Sequence, residues 1–288
     1  MTKRAVVTGA NSGIGLATTL RLAGDGFEVL AGARRAEGLD DIAAAAEAAG
    51  VSGVVPVTLD VTDDDSVAEA FGAALARGPV DVLVNNAGIT GAGSVEETPV
   101  ATFQAMFETN VAGVVRCTQQ VLPTMRQLGA GRIVNISSSS AILSPPLMAA
   151  YASTKRAVES ISESLQAEVA PFGIRVIVVQ AGTIHTPIWG KAESPGEDTA
   201  YPEARTFLME VLTHSLMTTG VPPETVAAAI AEAVEHDEPS LRHVVGDAHV
   251  LAGMRDRHHD DDLFGVYFLD GEEFRIRYRE LSGVDYWP

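Results

Sequence analysis

The chain has 288 residues, 46% hydrophobic and 20% charged, which allows one large α/β domain or two small ones and excludes an intrinsically disordered chain. A formal net charge of −18 excludes a nucleic-acid surface, because neutralising phosphates takes clustered Lys and Arg. The single cysteine, Cys117, excludes an internal disulfide framework and reads as a small buried hydrophobe on a helix.

No run of 18 apolar residues offers a membrane span, and Met1-Thr2-Lys3-Arg4 leads straight into a strand-like segment with no separate signal-peptide core, so the expected location is the cytoplasm. From there, strand-length apolar runs alternate with helical spacing. Residues 5–8 are a predicted strand, 13–24 a helix, 28–33 a strand, 39–49 an Ala-rich helix and 54–59 the next strand. Residues 64–77 read as a helix, 80–85 as a strand, and 100–128 as one long helix that Pro123 interrupts near its end. A strand at 132–137, a helix at 149–172, a strand at 174–180, a helix at 222–235 and a strand at 241–245 complete the series. This βαβ rhythm predicts a single doubly wound, Rossmann-type α/β domain with a mainly parallel seven-stranded sheet over residues 1–252. Residues 187–220 stand outside the rhythm as an expected substrate lid, and 253–288 form a C-terminal extension, acidic at first and aromatic later.

Thr8-Gly9-Ala10-Asn11-Ser12-Gly13-Ile14-Gly15 joins the first strand to the first helix, where a tight turn can aim backbone amides at a pyrophosphate. An ordinary strand–helix turn has a similar look. The spacing is G-x-x-x-G-x-G, and with its leading Thr it resembles the short-chain dehydrogenase/reductase family over about residues 4–250. The resemblance implies a nicotinamide dinucleotide held by Gly9, Asn11, Ser12, Gly13, Ile14 and Gly15. The second strand ends in Ala31-Gly32-Ala33-Arg34-Arg35: the acid that would bond a ribose 2′-hydroxyl is missing, while Arg34 and Arg35 can hold a 2′-phosphate. NADP(H) is therefore expected over NAD(H), with two solvated loop arginines as the alternative. Asp60 and Val61 match the family's adenine-contacting pair. Asp60 could instead be a helix cap, although Asp63 or Asp64 is better placed for that. Asn86, Ala87 and Gly88 match the segment that lines the cofactor.

Tyr151-Ala152-Ser153-Thr154-Lys155 puts a phenol and an ammonium on one helix face, four residues apart. A phenol serves as acid/base near neutrality only if its anion is stabilised, and a nearby cation can do this; taken alone, the pair also fits an exposed amphipathic helix. Asn135-Ile136-Ser137-Ser138-Ser139-Ser140 closes the fifth strand just upstream. Chemistry does not choose among its four serines, and the family resemblance selects Ser138. The same resemblance gives Asn110 a place in a proton relay with Lys155, where a packing kink is the plain reading. It also implies that Gly182, Ile184 and Thr186 orient the carboxamide, with Tyr151 and Lys155 touching the cofactor; Ala181 stands where most members have Pro.

The expected reaction is hydride transfer between nicotinamide and an alcohol or ketone carbon, with Tyr151 as acid/base; an idle NADP-binding regulator on the same fold is the alternative. Ile188, Trp189, Phe207, Leu208, Met209 and other apolar lid residues suggest a lipophilic substrate, and several stretches resemble the branch of the family that holds estrogenic 17β-hydroxysteroid and retinol dehydrogenases. Trp189, as part of that apolar lid, is a candidate substrate contact, and the branch makes His214 another, His214 being equally readable as a lid-surface histidine. His258-His259-Asp260-Asp261-Asp262 reads as an exposed acidic loop, and no metal is expected. The family resemblance implies a homodimer or homotetramer.

Overall fold

The computed structural model of the protein describes residues 2–191 and 196–287, the side chains of Trp189 and Lys191 excepted. The apolar runs become strands β1 (Arg4–Val7), β2 (Glu28–Ala33), β3 (Val54–Thr58), β4 (Val82–Asn85), β5 (Gly131–Ser138), β6 (Ile174–Ala181) and β7 (Arg242–Val245). They form one sheet in the order β3-β2-β1-β4-β5-β6-β7, every pair parallel. Chain order reverses between β1 and β4, so the connections leave the strands' carboxyl ends in opposite directions and open a crevice there.

Helices cover both faces, which is why the central strands are apolar throughout rather than alternating. Val7, Val84, Val134 and Val179 pack beneath α1 (Gly13–Gly24), α2 (Ala36–Ala49) and α10 (Pro223–Glu235). Their neighbours Val6, Leu83, Ile133 and Val176 face α3 (Asp64–Arg77), α5 (Gly113–Leu128) and α7 (Ala149–Val169). Cys117 lies fully buried in this second layer, and burial pushes its thiol up to about 12.

The expected single helix over 100–128 is three segments: α4 (Val100–Phe107), a π-helical turn (Glu108–Ala112) and α5. Its break comes at Asn110, and Pro123 sits inside α5 without ending it. The cause is tertiary: the buried Asn110 amide donates to Ile89 O and Thr154 Oγ1 and accepts from Ile89 N, which draws one extra residue into the turn. A short helix α6 (Ser139–Ile142) follows β5, and α7 ends in a 3₁₀ turn (Ala170–Phe172).

Beyond β6 lie α8 (Ile188–Lys191) and the main lid helix α9 (Pro202–Thr218); residues 192–195 of the expected lid fall outside the described residues. After β7 come α11 (Ala248–Arg257), which crosses residue 252, then α12 (Asp260–Gly265), a 3₁₀ turn (Val266–Phe268) and α13 (Gly271–Ser282). These tail elements close over α9 in a separate core. Phe207 is its hub, with the rings of Tyr267, Phe274, Tyr278 and Trp287 centred 5.2–6.3 Å away, mostly edge to face. Leu143, just after α6, is buried in the same cluster, so the tail reaches back toward the end of β5.

Candidate functional site

The carboxyl ends of the strands enclose a crevice of about 800 Å³. It gathers the loop residues 9 and 11–14, Arg34 and Arg35, Asp60 and Val61, residues 86–88, then Ser138, Tyr151, Lys155, Gly182, Ile184 and Thr186. Segments nearly 180 residues apart in sequence thus converge because each ends a parallel strand on the same edge.

The floor of the loop is set by the side chains of Thr8 and Asn86, which the sequence motifs had marked. Thr8 Oγ1 accepts from Asn86 N at 3.0 Å and Ala87 N at 2.9 Å, and Asn86 Nδ2 donates to Thr8 O and Gly9 O at 2.9 and 3.0 Å. Gly15 lies under this knot rather than in the crevice wall. A Cβ there would stand 2.3 Å from Gly9 O and 2.4 Å from Asn86 Nδ2, so any side chain would push the loop into the space a diphosphate needs. Asn85 and Asn135, in register on β4 and β5, hydrogen-bond through their amides at 2.8 Å and fix the strand ends from which Asn86 and Ser138 project.

Arg34 and Arg35 stand exposed at the end of β2 on the crevice rim. Asp63, not Asp60, caps α3, accepting from Ser66 N at 2.8 Å. Asp60 instead lines the crevice, with Oδ1 held by the Thr62 hydroxyl at 2.7 Å and the Thr62 amide at 3.0 Å. Burial pushes its carboxyl up, but these two bonds and the charge of Arg34 outweigh that and hold it below the ordinary value. Glu37, Gly38, Asp41, Thr62, Ile89 and Thr90 also line the crevice and carried no motif signal.

At the inner end, β5 delivers Ser138, which also caps α6 by accepting from Ser140 N at 3.1 Å. The first turn of α7 delivers Tyr151, whose phenol hydrogen-bonds Ser138. One turn on, Lys155 Nζ donates to Ile136 O at 2.8 Å and sits 5.7 Å from the centre of the Tyr151 ring. Burial pushes the Tyr151 phenol up to about 12 against the opposing Ser138 bond, and burial draws Lys155 down to about 8. Loss of water is thus the larger influence on the Tyr151 phenol and the Ser138 bond opposes it, while Lys155 Nζ has a carbonyl as its partner. At neutral pH the site holds a protonated phenol beside a largely protonated ammonium. Asn110 is not in the crevice wall but lies behind Thr109, bonded to Thr154 on α7.

His214 does not reach the crevice. Its ring packs edge-on at 5.1 Å against Tyr286 in the tail. The side chain of Trp189 lies outside the described residues. Among the described residues no group of three His, Cys, Asp or Glu could hold a metal ion, and Asp260 of the His258–Asp262 run pairs with Arg255.

A family model described as short chain dehydrogenase matches residues 3–196. Uncharacterized oxidoreductase YusZ of Bacillus subtilis (strain 168) is 36% identical over 250 residues, covering 85% of this chain and 89% of the relative. Human retinol dehydrogenase 8 is 35% identical (82% of this chain, 79% of the relative), and human 17-beta-hydroxysteroid dehydrogenase type 1 is 33% identical (83% and 76%). Among solved structures, a short-chain dehydrogenase from Streptomyces avermitilis superposes with a TM-score of 0.77 at 40% identity, covering 87% of this chain and 90% of that one. A variant of actinorhodin polyketide ketoreductase solved with NADPH does so with a TM-score of 0.74 at 31% identity, covering 85% and 95%.

Proposed function

The chain belongs to the short-chain dehydrogenase family, its relatives include retinol and 17β-hydroxysteroid dehydrogenases, and we propose that it is an NADP(H)-dependent oxidoreductase of lipophilic alcohols and ketones with Tyr151 as its acid/base. One observation carries this reading: the Tyr151 phenol, bonded to Ser138 and one turn from Lys155, stands in the same crevice as the glycine loop.

The residues fit the dinucleotide. The loop at 9–15 has room for a diphosphate only because Gly15 lacks a Cβ, Arg34 and Arg35 line the crevice with guanidinium groups that could hold a 2′-phosphate, and Ala33 offers no carboxylate to repel one. NADPH bound there supplies the hydride. In reduction, Ser138 and Tyr151 donate hydrogen bonds to the carbonyl oxygen, and the Tyr151 phenol gives its proton to that oxygen as charge develops on it. Lys155 holds the ribose and, as an ammonium, steadies the phenolate that results. Asn110 spends its side-chain amide on Ile89 and Thr154, which ties the proposed relay helix to α7 beside Lys155.

The flank of Tyr151 supports a lipophilic substrate: Leu147, Met148 and Leu208 are buried there with Ala92 and Ala204 beside the ring. Phe207 is turned away into the tail, so the apolar wall comes from fewer lid residues than the sequence suggested. Val100 and Phe107 leave apolar side chains exposed on α4, in keeping with a homodimer or homotetramer built on that face. No described helix is long and apolar enough to cross a membrane, and the proposed setting is the cytoplasm.

The test is consumption of NADPH and of NADH by the purified protein with a steroid ketone, retinal, a long-chain aliphatic ketone and a sugar carbonyl. The lipophilic carbonyls should be reduced with NADPH preferred about tenfold or more, a preference that Arg34→Glu removes. Tight NADPH binding with no turnover on any carbonyl would replace the enzyme by a regulator.

A further inference from the structure

β7 ends at Val245, the chain turns at Gly246, and Asp247 stands at the N-terminus of α11. An Asp in that place ordinarily caps its helix, yet the Asp247 side chain makes no cap bond. It is spent elsewhere: Oδ1 accepts from Thr183 N at 2.6 Å and Oδ2 accepts from Thr219 Oγ1 at 2.9 Å.

Those two partners are the two roots of the lid. Thr183 lies where the chain leaves β6, one residue before Ile184, and Thr219 follows α9, where the chain returns toward the sheet. The roots also pair directly, Val221 N with Thr183 O at 3.1 Å and His185 N with Val221 O at 3.0 Å. Gly182 packs so closely on the turn that a Cβ would stand 2.0 Å from Asp247 Oδ1 and 2.5 Å from Ala248 N, so this contact is what its lack of a side chain serves. The last tail residues meet the same spot: burial first, and the Asp247 charge second, push the Tyr286 phenol up to about 12.

We infer that Asp247 is a positioning residue that fastens the nicotinamide-orienting loop 182–186 to the returning root of the lid. A backbone amide and a hydroxyl held by one carboxylate cannot shift independently, so the lid's place and the carboxamide's place are set together. Asp247 is not among the residues lining the crevice; it acts through Thr183. This inference rests on the proposed dinucleotide site, because loop 182–186 orients a carboxamide only if NADPH binds.

The experiment compares affinities for NADPH and for 2′-phospho-ADP-ribose, which shares every phosphate and adenine contact but has no nicotinamide, together with the fluorescence anisotropy of bound NADPH. Asp247→Ala should weaken NADPH about tenfold and lower its anisotropy while the fragment binds as to wild type. Thr219→Val, which keeps the side chain's shape and removes the lid-side bond together with the longer 3.4 Å bond to Ser215 O within the lid, should weaken NADPH about threefold in the same selective way. Asp247→Asn should stay within about twofold of wild type, since its amide can still accept from Thr183 N and donate to Thr219 Oγ1. If Asp247→Ala does not fold, Thr219→Val decides. A melting temperature that falls while the ratio of the two affinities keeps its wild-type value would overturn the assignment and leave Asp247 a structural residue. Wild type that binds neither ligand would instead defeat the dinucleotide site itself.

Discussion

Lys155 is a buried cation, and Lys155→Met reads what its burial costs. The residue is 6% exposed, and burial draws its pKa from 10.5 to about 8. At roughly 1.4 kcal/mol per pH unit, that gap destabilises the folded chain by about 3 kcal/mol at pH 7. Below pH 8 folded and unfolded chains both hold the proton and the penalty is full. Between about 8 and 10.5 the unfolded chain binds more protons, so stability rises with pH, and by pH 10 about 1 kcal/mol of the penalty remains. Methionine matches the length of the side chain without its charge but leaves Ile136 O without its 2.8 Å donor, which costs about 1–2 kcal/mol. Lys155→Met should therefore be more stable than wild type by about 1–2 kcal/mol at pH 7, and the advantage should vanish by pH 10. Urea unfolding of both proteins without nucleotide, at the two pH values, reads this directly. A variant less stable at pH 7, or a difference that ignores pH, would refute the burial penalty assigned to Lys155.

Gly15→Ala should abolish NADPH binding by displacing Gly9 and Asn86 and should lower the melting temperature by disrupting the Asn86 bonds to Thr8 O and Gly9 O, as titration and a thermal melt would show; retained binding would mean that the loop does not cradle the diphosphate. Phe207→Ala removes the hub of the tail core and should cost about 3 kcal/mol, lowering the melting temperature by about 5 °C, with NADPH affinity preserved. An unchanged melt would count against the tail clasping α9 in solution. With the Tyr151 phenol pushed up to about 12, carbonyl reduction should be flat around neutrality while alcohol oxidation, which needs the phenolate, rises toward alkaline pH. Rate profiles in the two directions check this, and oxidation that peaks in acid would contradict it.

The strands, the glycine loop and the Tyr–Lys pair were legible because each is a contiguous pattern: apolar runs of strand length, glycines where a turn needs them, a four-residue helical spacing. Contacts between distant segments were not. The π turn at Asn110 is caused by Ile89 and Thr154, 21 and 44 residues away, so the only visible helix breaker, Pro123, drew the expectation to the wrong place. Asp247 meets Thr183 and Thr219 across 64 and 28 residues and carries no motif. The aromatic tail was visible as composition, but its partners on α9, Phe207 and His214, were not. The phenol's environment was also beyond reach: a spacing places Lys155 near Tyr151 and says nothing about how much water both have lost.

The most direct test of the account is Tyr151→Phe, assayed with NADPH and whichever carbonyl the wild type reduces. The loss of one hydroxyl should leave NADPH affinity within about twofold and lower turnover at least about a hundredfold. A variant that binds NADPH and turns over at the wild-type rate would remove the phenol from the chemistry.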